Sequence, residues 1–265
     1  HEGLLADGQH GRDRVHGEDH VGELDDDQGD GEGGQGAAAV AWLEQQAATL
    51  LPVPYFHLVF TLPHTLNGLI RQNRAVLFKL LFDAASQTLL EFGAERLGAQ
   101  LGLTAVLHTW SQTLGDHYHL HCIVTGGGVA ADPSRWVATA PYYLFPVRAL
   151  SRRLRGKYLA GLNALHAAGK LAFHGALQET APPAKFAALV RQAAAPEWVV
   201  YAKRPFAGPE QVLAYLSRYT HRVALSPRRL LAANGQTVTF AYKDYAAGSR
   251  PKTMTLGTAE FVRRF

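Results

Sequence analysis

The sequence predicts an α+β fold in which a central antiparallel sheet is flanked by helices. Three observations lead to this class: strand-like runs of β-branched and aromatic residues, helical stretches with apolar residues at a 3.6-residue period, and hairpin turns between neighbouring strands. Strands, helices and hairpins that interleave along a chain are typical of an antiparallel sheet covered by helices. With 265 residues, of which 47% are hydrophobic, the chain can bury one substantial core.

The first 36 residues differ from the rest of the chain. They hold two basic and eleven acidic residues, many glycines and no aromatic residue. Such a segment cannot bury enough apolar surface to offset the entropy lost on ordering. We expect residues 1–36 to be a disordered acidic segment that arises from an out-of-register or mispredicted N-terminus. Residues 37–265 are then one domain.

In the first half of this domain, an alanine-rich stretch stops before Pro52 and predicts a helix. An apolar, aromatic run closed by Pro63 predicts a buried strand, and a long stretch with helical spacing follows it. Two further strands flank Gly115 and Asp116, which predict a two-residue hairpin turn. The predicted elements are a helix at 37–51, a strand at 55–60, a helix at 66–97, and strands at 103–113 and 117–123 that end at the glycines 126–128.

The second half alternates in the same way. Apolar periodicity predicts helices at 147–170, 185–192 and 208–219, and β-rich runs predict strands at 198–201 and 222–225. The dipeptide Asn234-Gly235 is a strong hairpin signal between 229–231 and 237–240.

The run from His117 to Ile123 is the most chemically specific feature of the chain. Because side chains alternate along a strand, His117, His119 and His121 point to one face, with same-face neighbours about 6.5–7 Å apart. Two imidazoles at this spacing can converge on one ion. A metal centre is therefore the first hypothesis, and solvated or backbone-bonded histidines are the alternative.

The predicted hairpin register supplies a third ligand. A turn at Gly115 and Asp116 places Gln112 opposite His119, so its side-chain oxygen would complete the set with His119 and His121. Mixed nitrogen and oxygen ligands suit Mg²⁺ or Mn²⁺ as well as Zn²⁺. His117 and His108 are reserve candidates.

Charge and cysteine content narrow the classes of partner and compartment. Residues 37–265 carry a net charge of +13 once the acidic segment is set aside, which favours a nucleic-acid partner over a face that merely keeps the protein soluble. Cys122 is the single cysteine, so a disulfide framework and a cysteine zinc site are excluded. No apolar stretch approaches the roughly 20 residues of a membrane span. We expect a cytoplasmic, nucleoid-associated protein without a membrane partner.

Two tyrosines form the second chemical element. Tyr215 and Tyr219 lie four residues apart on the predicted helix 208–219 and so share one stripe of its surface. Packing is the commoner reason for such a pair. Neighbouring cations favour phosphate binding and the phenolate form of a tyrosine, whose free pKa is near 10. The predicted DNA contacts are Arg218, His221, Arg222, Lys203 and Arg204, and five further cations on the helix 147–170 are either DNA contacts or a solvated face.

Together these elements resemble the HUH endonuclease superfamily, and in particular the two-tyrosine rolling-circle transposases of the insertion-sequence ninety-one family. The resemblance runs from about Gln35 to Phe265, through QGAAAVAWLEQQAATLLPVPYFHLVFTLPH, LHTWSQTLGDHYHLHCIVTGGG and YLSRYTHRVALSPRRL. His119-Leu120-His121 stands where that family has its metal-binding pair, and Tyr215 and Tyr219 stand where it has its nucleophiles.

The resemblance implies an RRM-like nuclease fold and a reaction on single-stranded DNA at transposon ends and target. A divalent ion polarises the scissile phosphate and a tyrosine attacks it, giving a 5′-phosphotyrosine and a free 3′-hydroxyl. No structural zinc is expected, because the cysteine-rich segment of that family is absent from residues 1–36, and the domain is expected to be incomplete at its C-terminus.

Two other functions remain open at this point. One is a metal-dependent hydrolase that uses His117, His119 and His121 with an activated water and forms no covalent DNA adduct. The other is a degenerate, non-catalytic module that binds single-stranded nucleic acid through basic and aromatic residues.

Overall fold

The computed structural model describes Gln45, Tyr215 and residues 47–203, 205–206, 208–209, 211–213, 225–244 and 247–264. Two sheets and five numbered helices are present in these residues. In chain order they are β1 (Tyr55–Thr61), α1 (Asn67–Gln72), α2 (Arg74–Leu97), β2 (Ala99–Trp110), β3 (Asp116–Ala130), β4 (Trp136–Ala138), α3 (Val147–Ala167), α4 (Pro183–Ala194), β5 (Val200–Ala202), β6 (Leu230–Ala233), β7 (Thr237–Asp244), β8 (Arg250–Gly257) and α5 (Thr258–Arg264). Short 3₁₀ turns lie at His64–Leu66, Gly175–Thr180 and Pro227–Arg229.

The larger sheet has the strand order β2-β3-β1-β5, with β4 paired to β3 beyond the end of β1. All of its pairs are antiparallel. Helices α2 and α3 pack on one face of this sheet, where leucine and phenylalanine side chains of β1 and β3 join the main hydrophobic core. The predicted α+β class, an antiparallel sheet with flanking helices, is confirmed.

The opposite face of the sheet carries the polar residues. Strand alternation puts Phe56, Leu58 and Phe60 of β1 into the core, and therefore His57 on the other face. On β3 the same alternation buries Leu120 and Cys122 in the core and sends the histidines to that other face. His119 and His121 thus lie on the central strand β3, which pairs with β1 on one side and with β2 on the other.

The predicted hairpin register is wrong. Strand β2 ends at Trp110 and β3 begins at Asp116, so the connection has five residues, with Leu114 at φ 60°. A hydrogen bond from the amide of Ser111 to the carbonyl of Gly115 closes it. The two-residue turn expected from the sequence would have placed Gln112 opposite His119. In the structure His108, four residues earlier on β2, is opposite His119.

Two other predicted boundaries also change. The helix predicted at 66–97 is interrupted at Asn73, whose side-chain amide donates to the carbonyls of Leu69 and Ala172 and whose oxygen accepts from the amide of Ala172. The glycines 126–128 do not end β3 but lie within it. Their missing side chains let the carbonyls of Pro54, Gln100 and Val137 approach the strand closely.

A smaller sheet, in the order β6-β7-β8, covers the tip of the β2–β3 hairpin. Leu114 packs with Phe240 in a separate apolar cluster, and Arg229 and Arg264 donate to the carbonyls of Gln112 and Thr113. The Asn234 turn is confirmed, since its side-chain oxygen accepts from the amides of Gln236 and Thr237. The predictions for residues 1–36 and for residues 222–224 of the strand expected at 222–225 lie outside the described residues.

Three of the five cations predicted on the helix α3 are engaged in contacts on the helical side of the molecule. Arg153 and Lys157 pair with Glu91, and Arg153 also pairs with Glu95. Arg155 donates to the carbonyls of Ala194 and Pro196. These contacts stabilise the packing of α3 on α2 and α4, away from the histidine face.

In the part of the chain that the structure describes, helices that are long and apolar enough to cross a bilayer are absent.

Candidate active site

Three histidines meet at the centre of the polar face. His108 on β2 lies directly opposite His119 on β3, and His121 follows two residues further along the same strand. One ring nitrogen from each of the three lies within 4.8 Å of those from the other two, and all three side chains are buried. We refer to His108, His119 and His121 as the histidine triad.

The chemistry of the triad fits a metal ion. Nδ1 of His119 lies 3.0 Å from the carbonyl oxygen of His117, which can only accept, so Nδ1 carries the proton and Nε2 is the nitrogen that an ion would bind. Nδ1 of His121 is engaged in hydrogen bonds at 2.9 and 3.1 Å, so Nε2 is the nitrogen of that ring that an ion would bind. Rings held in one tautomer by such contacts are pre-arranged for coordination.

His119 is also held in the protonation state that a metal requires. Burial, followed by the charges of His117 and His108, lowers the pKa of His119 well below its ordinary value. An imidazole must be neutral to bind an ion. The buried, neutral His119 imidazole can therefore bind an ion without first losing a proton.

Tyr215 reaches this site from a distant part of the chain. Its phenol oxygen lies 2.8 Å from Nε2 of His57 and 3.1 Å from Nδ1 of His121. Pro209, residues 211–213 and Tyr215 are helical, and Val212 and Tyr215 pack with Tyr55 and Ile123 in an apolar cluster over the sheet. The predicted meeting of a tyrosine with the strand histidines is therefore found for Tyr215.

His57 is the site residue that the sequence predictions missed. Its Nε2 lies 2.9 Å from Nδ1 of His121, so His57, His121 and Tyr215 form a triangle of hydrogen-bonding atoms. The side chain is 1% exposed, and burial, with the positive charges of Lys203 and His108 as smaller causes, lowers its pKa to about 3. The available signal was a single histidine inside the otherwise apolar strand Tyr55–Thr61.

The other predicted site residues fall into three groups. Gln112 lies in the hairpin connection, outside the triad, and His117 pairs instead with His64, their ring nitrogens 3.1 Å apart at the surface. Lys203 is beside the site, since its backbone amide donates to the carbonyl of His57 and its charge acts on that imidazole. Five predicted residues lie outside the described residues: Tyr219, Arg218, His221, Arg222 and Arg204.

Buried neutral histidines make the stability of the metal-free protein depend on pH. The unfolded chain takes up a proton at each histidine near pH 6.5, whereas native His57 does so only near pH 3. Between these values the unfolded state binds the extra proton, so we expect the free energy of unfolding to fall as the pH falls below 6.5. The slope is about 1.4 kcal/mol per pH unit for each such histidine, and it vanishes above pH 6.5.

Urea unfolding in EDTA at several values between pH 5 and 8 measures this slope. His57→Gln keeps a polar group near the position of Nε2 but cannot titrate. The slope of its unfolding free energy against pH is therefore expected to be smaller than the wild-type slope by about 1.4 kcal/mol per pH unit. Equal slopes in the two proteins would contradict the buried, neutral state of His57.

Residues 102–265 match the family model Y2_Tnp, described as "Putative transposase". The chain is 48% identical over 236 residues to "Putative transposase y4qJ" of Sinorhizobium fredii (strain NBRC 101917 / NGR234), covering 87% of this chain and 58% of that protein. It is 31% identical over 227 residues to the transposase for insertion sequence element IS801 of Pseudomonas savastanoi pv. phaseolicola, covering 84% and 52%. The chain thus spans little more than half the length of these two relatives.

Among solved structures, the chain aligns with the conjugative relaxase TrwC in complex with mutant OriT DNA. The TM-score is 0.35 at 16% identity, over 63% of this chain and 74% of that one.

Proposed function

This chain belongs to the Y2_Tnp transposase family, and from that premise we propose that it nicks and joins single-stranded DNA through a covalent link to Tyr215. Family membership agrees with the resemblance drawn from the sequence. One observation carries the proposal: the phenol oxygen of Tyr215 lies 3.1 Å from Nδ1 of His121, whose other ring nitrogen, Nε2, would hold the ion. A nucleophile that contacts an imidazole of the ion site is positioned to attack a phosphate that the ion polarises.

The reaction is a balanced exchange of one phosphodiester for another. Tyr215 Oη attacks the phosphorus, a bond from phosphorus to the phenol oxygen forms, and the bond to the 3′-oxygen breaks. The phenol gives up its proton and the leaving 3′-oxygen takes one up, which yields a 5′-phosphotyrosine and a free 3′-hydroxyl. Attack by a 3′-hydroxyl on the phosphotyrosine reverses the chemistry and joins strands without an external energy source. Tyr219 would serve the second cleavage.

His57 and Lys203 act on the phenol in different ways. A pKa of about 3 makes His57 a poor proton acceptor against a phenol whose ordinary pKa is near 10, so its role is to orient Tyr215 by hydrogen bonding. Lys203 acts through His57, because its charge helps to lower the pKa of that imidazole and so keeps the ring neutral beside the phenol. His121 contributes the second hydrogen bond to the same oxygen.

The triad would hold the divalent ion through three imidazole nitrogens. Bound there, the ion supplies Lewis-acid polarisation of a phosphate oxygen. Because His108, and not Gln112, lies opposite His119, the ligand set found among the described residues consists of imidazole nitrogens, and imidazole suits transition-metal ions better than Mg²⁺. We therefore expect Mn²⁺ to bind more tightly than Mg²⁺.

The proposal is tested with single-stranded oligonucleotides from the ends of the mobile element that encodes the protein, labelled at either end. With Mn²⁺, a 3′ label is expected to move to a protein-sized band that survives denaturation, since the protein is joined to the 5′ phosphate of the 3′ fragment. A 5′ label is expected to appear only in a shorter, free product. EDTA should prevent both.

The same experiment separates the other two functions. A metallohydrolase would shorten the 5′-labelled strand without giving a protein-linked band. A non-catalytic binding module would give neither product, although it would still retard the DNA in a native gel. Either pattern would refute covalent strand transfer.

A further inference from the structure

The edge strand β5 places an aromatic side chain in line with the triad. Tyr201 lies opposite Val59 of β1, and Val59 lies opposite His121 of β3. Residues that are directly opposite in antiparallel strands have their side chains on the same face. With strands about 4.8 Å apart, Tyr201 is roughly 10 Å from His121 across the sheet.

The burial of β5 supports this assignment of faces. Val200 belongs to the hydrophobic core under α2 and α3, and Ala202 packs against that core. Tyr201, between them, therefore points to the triad face, and its side chain is 39% exposed. Within the described residues β5 is the outermost strand on this side, so the ring lies at an open rim of the site.

Lys203 extends the same rim. It lies two residues beyond Tyr201 and donates its backbone amide to the carbonyl of His57 at 2.9 Å. Lys203 follows the last residue of β5, and this bond continues the pairing of Ala202 with Leu58 by one residue, which places Lys203 opposite His57 and on the same face as Tyr201. An aromatic ring and a cation next to a phosphate-processing centre are the two components of sites that bind single-stranded nucleic acid, where rings stack on bases and cations follow the backbone.

We propose that Tyr201 is a base-stacking platform for the nucleotide beside the phosphate bound at the triad, and that Lys203 contacts the backbone of the same segment. This inference rests on the proposed function, and it deepens it by naming how the strand is held. Stacking tolerates any base, because every base has a π face. The platform therefore contributes affinity without sequence preference.

Two ligands of equal length separate stacking from charge. One is a fluorescent 20-nucleotide oligothymidylate, and the other is the same sugar-phosphate chain without bases. Tyr201→Ala is expected to weaken binding of the first by roughly tenfold or more, in line with the loss of one stacked base, and to leave the second unchanged. Tyr201→Phe should keep wild-type affinity, because the ring and not the hydroxyl stacks.

Lys203→Ala is expected to weaken both ligands alike. Since one fewer phosphate is neutralised, the slope of log affinity against log salt should decrease by about 0.7. Tyr142→Ala is the matched control, because Tyr142 is 78% exposed but follows β4, which pairs with the end of β3 remote from the triad. Its affinity for both ligands should equal that of the wild type.

Three results would overturn the inference. If Tyr201→Ala bound oligothymidylate as the wild type does, Tyr201 would not stack on a base. If it bound both ligands equally less well, Tyr201 would have a structural role only. If Tyr142→Ala showed the same loss, the stacking would not be specific to Tyr201. Binding is measured without cleavage, so these outcomes are independent of adduct formation. A wild type that binds through Tyr201 but forms no adduct would refute the proposed function alone.

Discussion

Replacing Tyr215 by Phe is expected to lower the rate of adduct formation by roughly a thousandfold or more, the scale on which loss of a catalytic nucleophile is felt. The change removes only the phenol oxygen, which contacts His57 and His121. The aromatic ring, which packs against Phe206 and the apolar cluster over the sheet, stays.

The fold should survive this substitution. Nε2 of His57 and Nδ1 of His121 lie 2.9 Å apart and keep a hydrogen bond to each other when the phenol is absent. We expect a loss of stability of about 1 kcal/mol, the usual net contribution of one hydrogen bond, measured by urea unfolding. Metal binding should be retained, because Tyr215 is not part of the triad.

Tyr55→Phe is the matched control. Tyr55 belongs to the same apolar cluster, but its hydroxyl exchanges hydrogen bonds with the backbone of Leu51 and not with the histidines. The identical chemical change should therefore leave adduct formation close to wild type. Equal losses in the two variants would mean that Tyr215 matters for packing alone.

A variant of Tyr219 tests which of the two tyrosines forms the adduct. If Tyr215 makes the first cleavage, Tyr219→Phe should leave a protein-linked band on a substrate with one cleavage site, whereas Tyr215→Phe should not. A band that persists in the double variant Tyr215→Phe, Tyr219→Phe would show that neither residue is the nucleophile.

Much of the site could be predicted from local alternation. The spacing of His119 and His121 fixes both rings on one face of β3 whatever its partners are, and the apolar residues between them fix which face meets the core. The contact with Tyr215 could not be obtained in this way, because it joins segments 94 residues apart. Its prediction came from the family resemblance.

The third ligand shows where local reasoning fails. Register depends on the connection between strands, and the five-residue connection is held by Leu114, which packs under the second sheet, and by Arg229 and Arg264. Those contacts come from more than a hundred residues away and leave no local signal. The observed and predicted registers differ by four residues. Because four is an even number, the prediction put His108 on the correct face of the sheet but chose Gln112 as the residue opposite His119.

His57 was missed for a different reason. A lone histidine in an apolar strand is more often a satisfied core residue than a functional one. Its role depends on β1 pairing with β3 in a register that puts Val59 opposite His121. Strand order and register are long-range properties, so the sequence of β1 alone could not reveal it.

His108 and Gln112 are the two candidates for the third ligand, and their alanine variants are expected to differ most in metal binding. His108→Ala removes one of three nitrogen donors and should weaken Mn²⁺ binding by well over a hundredfold, since loss of a mere supporting contact around a metal site already weakens binding ten- to a hundredfold. Adduct formation at limiting Mn²⁺ should fall with it. Isothermal titration with Mn²⁺ measures the first effect and the labelled-strand assay the second.

Gln112→Ala is the decisive comparison. The bond from Arg229 to residue 112 uses its backbone carbonyl, which alanine retains, so the hairpin connection should keep its shape. Because Gln112 lies in that connection and not opposite His119, the variant should bind Mn²⁺ and form adduct as the wild type does. If Gln112→Ala lost the metal and His108→Ala kept it, the strands would have to pair in solution in the register expected from a two-residue turn, and the all-nitrogen site would be refuted. If both lost it, four protein ligands would be required, and the preference for Mn²⁺ over Mg²⁺ would weaken because an oxygen donor had joined the set.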